Sequence, residues 1–332
     1  MSLVEQVGGE TPPIEHDVVR RIVELACRAP SVHNTQPWRW RIDGLTLELR
    51  ADRDRQLPVA DPTGRNLVIS CGTALHHARV AARAEGFATS VRRLPDPRDS
   101  DVLAVIELGD GHPTPDTLAD LRALEQRCTD RRRFTSWPVP DERLEHLAEV
   151  TASDFARVRP LTGVVSRFRT ELLVNRAMTE QEADLRFTAE QQLWVDRSSV
   201  DGVPAGVIPP ADHYPGSRRN RFAHGLYPDA RQELVEASDG LLAVTTDDDG
   251  ALSWLRAGEM LSMLWLEATK GGLSVVPLSQ VVEIEETRAE LFRTVFAGLE
   301  VPQILVRIGW QQIGRSSLPR TPRRPLDEVL AR

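Results

Sequence analysis

Hydrophobic and polar positions divide the chain into alternating helical and extended stretches. Residues 14–29, IEHDVVRRIVELACRA, carry Val18, Ile22, Leu25 and Ala29 at helical spacing, one face of an amphipathic helix. LTLELRA, 45–51, alternates with the period of a strand, and DPTG, 61–64, reads as a turn. From about Leu67 to Glu85 the spacing is helical again, and Gly86 suits the end of that helix. DVLAVIELG, 101–109, predicts a buried strand. A similar order then recurs. ERLEHLAEV, 142–150, is helical, and LVNRAMTEQEADLRFTAEQQLWV, 173–195, predicts one long charged helix. GLLAVTT, 240–246, is a strand; WLRAGEMLSMLWLEATKGG, 254–272, a helix ending at Gly271 or Gly272; and PQILVRIGW, 302–310, a buried strand.

The two long helices align residue by residue. Gly72 and Gly86 are 14 apart, as are Gly258 and Gly272, and in that frame Leu75 matches Leu261, Ala78 matches Leu264 and Ala82 matches Ala268. A glycine inside a helix costs about 1 kcal/mol relative to alanine, so two at matching positions predict close packing of one helix on the other. The pattern reads as an internal duplication, with halves at 1–115 and 116–332.

Three stretches fit no period. RAPSVHNTQPWRW, 28–40, combines stiffening prolines, hydrogen-bonding Ser31 and Asn34, and the anchoring indoles of Trp38 and Trp40. RCTDRRRF, 127–134, concentrates arginines beside a hydroxyl, the chemistry of a phosphate site, and its threonine or aspartate could cap a following helix. The tail SSLPRTPRRPLDEVL, 316–330, spaces Arg320, Arg323 and Arg324 with prolines, so it should be extended and able to reach an anion site. Residues 196–230, dense in proline, glycine and polar side chains, have the composition of a lid-like insertion.

Composition narrows the function. The 332 residues suffice for about two domains, and the net charge of −8 argues against nucleic-acid or membrane partners. No apolar run approaches the ~18 residues of a membrane span, and the N-terminus has no signal-peptide pattern, so a cytoplasmic protein is expected. Lys270 is the single lysine, so any anion site must use guanidinium groups. Cys27, Cys71 and Cys128 are scattered, and no metal site follows from them. TTDDDG, 245–250, lacks the ligand spacing of a calcium loop, and His76 and His77 diverge on their helix and cannot share a metal. Rossmann, P-loop and nucleophile-elbow motifs are absent.

APSVHNTQPW resembles the P-S-x-x-N-x-Q-P-W loop of the nitroreductase family, and R-C-T-D-R-R-x-F resembles that family's arginine segment. The repeated order of elements looks like the Acg branch, in which two nitroreductase-like halves are fused. The resemblance spans roughly residues 14–330. It implies an α+β fold: two tandem halves, each with a mixed, mostly antiparallel sheet wrapped by helices, the long helices central, a pseudo-dimer in one chain. It implies FMN as cofactor. Arg127, Thr129 and Arg131, joined by Arg323 and Arg320, would hold its phosphate. Pro30, Ser31, Val32 and Asn34 would meet the ring, and Pro277, Leu278, Ser279 and Gln280 would stand where the family faces flavin N5. Each half keeps only one wall, which implies a single composite site and a monomer. Three functions are open to such a chain. One is sequestration of FMN beneath the 196–230 segment; another is NAD(P)H-dependent reduction of nitro or quinone-like aromatic acceptors; the third is a scaffold that has lost the flavin.

Overall fold

A computed structural model of the chain describes residues 13–131, 134–205, 239–310 and 320–331. The alternating stretches of the first half build one four-stranded sheet from β1 (Trp38–Asp43), β2 (Thr46–Ala51), β3 (Phe87–Arg93) and β4 (Val102–Asp110), in the order β1-β2-β4-β3. The second half builds another from β5 (Arg157–Pro160), β6 (Gly240–Thr246), β7 (Leu273–Leu278) and β8 (Val301–Trp310), in the matching order β5-β6-β8-β7. The match extends to register. Phe87 faces Asp110 as Leu273 faces Trp310. A bulge interrupts β2 between Leu49 and Arg50, and another interrupts β6 between Val244 and Thr245. Among the described residues every strand pair is antiparallel, as expected of mostly antiparallel sheets, and the parallel contacts are isolated bridges.

Ten helices surround the sheets among the described residues. They are α1 (Pro13–Ala26), α2 (Arg65–Ala84), α3 (Pro115–Gln126), α4 (Asp141–Val150), α5 (Val164–Ala183), α6 (Leu185–Gln192), α7 (Ala251–Lys270), α8 (Gln280–Glu283), α9 (Glu285–Thr294) and α10 (Leu326–Val329). The expected helix over 173–195 is in fact two. The chain leaves helical geometry at Asp184, whose carboxylate accepts from Arg186 N and caps α6. The first helix ends at Ala26, three residues before its apolar pattern does.

The two long helices, α2 and α7, cross at the centre, and the glycines set the distance. A methyl group on Gly72 would lie 2.1 Å from Leu255 O and 2.9 Å from Gly258 Cα; one on Gly258 would lie 2.0 Å from Ile69 O and 2.8 Å from Gly72 Cα. Each helix therefore touches the other's backbone at the same position, as the matched glycines predict. This crossing brings α2 and α7 to a common seam between the halves, and the candidate site lies along it.

Candidate functional site

The 28–37 loop is held in an unusual conformation. His33, Asn34 and Gln36 have φ of 49°, 56° and 49°, three non-glycine residues in the left-handed region. Each such residue costs about 1–3 kcal/mol, so the surroundings must impose the shape. Trp38 and Trp40, fully buried, open β1 and fix the loop's exit. Their alternation with exposed Arg39 makes the end of the motif a strand rather than loop. Helix α2 holds the entrance: Thr73 Oγ1 donates to Pro30 O (2.7 Å) and Ser70 Oγ accepts from Val32 N (3.2 Å). Gln36 donates from its side chain to Val200 O (2.9 Å) and accepts from Arg324 N (2.9 Å). Asn34 Nδ2 donates to Gly202 O (2.8 Å) and Pro322 O (3.1 Å), and Asn34 Oδ1 accepts from Arg323 (3.2 Å). The asparagine side chain is thus spent on holding the loop together.

The C-terminal segment straps across this loop from the second half. Arg323 donates to Arg28 O (3.0 Å) and Ala29 O (3.3 Å), and Ala331 N donates to Trp40 O (2.7 Å). The tail forms neither helix nor strand over 320–325. The arginine segment arrives from the other side. It does not cap a helix: it follows the end of α3 and lies extended along β7, with Thr129 bridged to Val275. Arg127 donates to Arg28 O (2.7 Å), and its guanidinium sits 4.9 Å from the Trp265 ring centre.

These three segments enclose a cavity of about 450 Å³, within the usual size of a small-molecule site. Asn34, Arg127, Arg131, Arg320 and Arg323 line it together. A smaller space of about 100 Å³ adjoins it and shares Pro30, Ser31, Thr129 and Arg131 as walls. Val32 stands on one side of that slot and Pro277, Ser279 and Gln280 on the other. Its floor is apolar: Ile69, Leu261, Trp265 and Ile304. Twelve of the thirteen expected residues thus line one continuous site. Leu278 does not. Its side chain instead packs in the core with Leu161 and Leu305.

Electrostatics distinguish the two ends. Burial holds the Arg127 guanidinium down at about 9, with Arg323 adding like-charge repulsion, and burial brings Arg323 to about 10. Among the described residues no carboxylate pairs with either; Glu125 at the rim pairs with Arg28 at 3.8 Å. Buried cations without counter-charge suit an anionic ligand group, which would restore their ordinary affinity for the proton. In the slot, Gln280 Oε1 is buried without a hydrogen-bond partner. An apolar cleft with an unsatisfied amide oxygen suits a flat ring bearing polar edges. The residues fit a ligand with a planar heterocycle at one end and a phosphate at the other.

Several wall residues carry no motif. Asn66, Ser70 and Thr73 stand at helical spacing on α2, and that polar stripe is a usable signal missing from the expected set. Arg324 lines the cavity beside Arg323. Cys27 and Cys128 also line it; neither is in a disulfide, and burial pushes the Cys27 thiol up to about 12. Nothing in their spacing marks them. Of the 196–230 insertion, residues 196–205 are described: Val200 and Gly202 receive the loop's amides, and Val203 lines the cavity. The remainder, 206–230, lies outside the described residues. The turn at 245–250 holds Asp249 in an ion pair with Arg288 at 2.6 Å, and no group of described residues could hold a metal ion. No described helix is long and apolar enough to cross a membrane.

No family model matches the chain. Rv3131 of Mycobacterium tuberculosis, provisionally named an NAD(P)H nitroreductase, is 38% identical over 317 residues, covering 95% of this chain and 91% of its own. Acg of the same organism, named likewise, is 34% identical over 323 residues, covering 94% and 95%. Among solved structures, a provisionally named nitroreductase of Anabaena variabilis superposes with a TM-score of 0.42 at 11% identity, over 89% of this chain and 73% of its own.

Proposed function

The chain belongs to the nitroreductase-like family, in its Acg branch, and we propose on that footing that it binds one FMN in the composite cavity and retains it with restricted access for nicotinamides. The observation that carries the reading is the sharing of one cavity between Pro30–Asn34 of the first half and Arg127, Thr129, Arg131 and Arg323 of the second. Arg127, Arg131 and Arg323 would hold the phosphate, with Arg320 at the mouth. The slot between Val32 and Pro277–Gln280 would hold the ring. FMN supplies hydride and electron transfer when bound. The protein's share is to orient the ring, cover it, and offer Gln280 and Ser279 to its polar edge.

Restricted access is favoured by the 196–203 segment, which lies on the loop through Gln36 and Asn34 and places Val203 in the cavity wall. The second reading, an NAD(P)H-dependent reductase of nitro or quinone compounds, is favoured by the names of the relatives. The repeated topology and register support an ancestral duplication. The second half already covers the surface that a partner would cover, which supports a monomer. Under anaerobic NADPH, absorbance at 450 nm should persist in the purified yellow protein and disappear with dithionite. Rapid bleaching by NADPH would establish the reductase instead. A double Arg127→Ala, Arg131→Ala variant should purify colourless; full yellow occupancy would overturn the phosphate assignment.

A further inference from the structure

The slot takes Ser70 and Thr73 from α2, Trp265 from α7 and Ser279 from the end of β7. The two helices, and the strands β3 and β7 that follow them, correspond at a constant separation, for Gly72 and Gly258 are 186 residues apart, as are Phe87 and Leu273. At that separation Ser70 corresponds to Arg256, Thr73 to Glu259, Trp265 to Arg79 and Ser279 to Arg93. These four counterparts are also gathered in one place. Arg79 donates to Glu259 at 2.9 Å, and Arg93 donates to both oxygens of the same carboxylate, at 2.7 and 2.9 Å. Burial and the like charge of Arg93 hold the Arg256 guanidinium below its ordinary value. Arg256 lies 3.8 Å from the ring centre of Phe155. Phe155 belongs to the short connection between α4 and β5, the counterpart of the loop between α1 and β1.

We propose that the fold contains a second copy of the ring slot and that the Glu259–Arg79–Arg93 ion cluster, capped by Arg256, fills and closes it, limiting the chain to one flat-ring ligand. The substitutions are of one kind. Where the open slot has hydroxyls and an indole, the closed one has a carboxylate and guanidiniums long enough to meet across the gap. The Glu259 side chain is only 9% exposed, so the carboxylate cannot leave its partners for water. The connection that carries Phe155, 151–156, is shorter than its counterpart, 27–37, which carries the His33–Gln36 turn. The identity of the ring rests on the flavin reading; the closure does not.

The test restores the open slot's residues in the full-length chain: Arg79→Trp, Arg93→Ser and Glu259→Thr together. The probe is lumiflavin, a flavin ring without phosphate, added to protein already saturated with FMN. The variant should bind one equivalent more than wild type, seen as quenched lumiflavin fluorescence. Because the count is a difference between the two proteins, it stands even if wild type takes no FMN. A folded variant with no additional equivalent overturns the proposal. Should the triple variant not fold, Glu259→Gln decides. Removing only the negative charge leaves Arg79, Arg93 and Arg256 together, so millimolar inorganic phosphate should raise the melting temperature of the FMN-saturated variant by several degrees more than that of wild type. An equal rise in both overturns the proposal.

Discussion

The Nδ1 of His76 lies 2.8 Å from Ser262 Oγ, and the two residues occupy the same position of their respective helices, four places beyond the glycines at which α2 and α7 cross. The seam between the halves is therefore joined by a hydrogen bond to a fully buried imidazole. Burial, followed by the charges of Arg79 and Arg83, brings His76 down to about 3 and keeps it neutral. In the unfolded chain a histidine titrates near ~6.5. Between those values the unfolded chain takes up a proton that the folded chain refuses, so stability is present above pH ~6.5 and is lost as pH falls toward 3, by up to ~1.4 kcal/mol per pH unit. Urea unfolding at pH 7, 6 and 5 should show that decline. His76→Gln, which can still bond Ser262, should make it shallower, the rest of the slope coming from His77, which burial also holds well below its ordinary value; an unchanged slope would show that His76 has no part in the acid limit.

The crossing itself admits no side chain at either glycine. Gly72→Ala places a methyl 2.1 Å from a backbone oxygen, and Gly258→Ala one at 2.0 Å, so the helices must separate. Overpacking of this kind typically costs about 1–3 kcal/mol, more where the obstacle is backbone. Helix α2 contributes Asn66, Ser70 and Thr73 to the slot and α7 contributes Leu261 and Trp265, so the separation also widens the site. Either substitution should lower the melting temperature by several degrees and weaken FMN retention, measured by flavin release on gel filtration. Loss of stability with retention intact would mean that the slot tolerates helix movement.

That crossing is legible in the sequence because glycine destabilises a helix interior, so a matched pair on two long helices signals backbones in contact. The site is legible for a similar reason: Pro30–Trp40 and Arg127–Arg131 are residues costly to place in mere connections. Other elements leave weaker traces. The strand β3, FATSVRR, is half-exposed along its length and has no apolar run. Pro277 interrupts the strand pattern of β7, where its missing N–H is tolerated. Helix α3 is absent from the sequence-based elements, although Pro115 and a capping box between Thr114 and Thr117 mark its start. The break between α5 and α6 has neither glycine nor proline; only a carboxylate two residues from an amide marks it. The left-handed loop cannot be read from composition, since Asn34 and Gln36 are held in it by partners some 160 to 290 residues away.

Asp201 anchors the described start of the insertion. Burial raises its carboxyl, but hydrogen bonds from Ser198 and Arg55 outweigh this and hold it below the ordinary range. The Arg55 bond ties the 198–203 turn to the first half, and Arg55 and Arg197 both lie over the Trp194 ring, at 5.5 and 4.2 Å from its centre. Asp201→Ala should free this turn from Asn34 and Gln36 while sparing both sheets. Trypsin should then cleave after Arg197 several-fold faster than in wild type, and NADPH should bleach the bound flavin faster. Faster cleavage without faster bleaching would separate the turn from control of access.

Arg320 and Arg323 line the same cavity but should act differently, and salt can separate them. Arg323 is held by carbonyls of Arg28 and Ala29 and by the Asn34 amide oxygen, so its planar fork fixes the loop as well as supplying charge. Arg323→Lys keeps the charge and loses the fork. Charged hydrogen bonds contribute about 1.5–3 kcal/mol each, so losing one predicts FMN affinity ~10- to 100-fold weaker. This loss should persist at high salt, because it comes from geometry inside a buried site. Arg320 is exposed at the mouth, where charges are screened and contribute about 0–1 kcal/mol. Arg320→Ala should therefore weaken FMN at most a few-fold at low ionic strength and hardly at all in 0.5 M salt. Titrating both variants with FMN at two salt concentrations, followed by flavin fluorescence, checks the pair. If Arg323→Lys binds FMN like wild type, the cavity needs only a cation at that position, and the strap's hold on the loop has no part in cofactor binding.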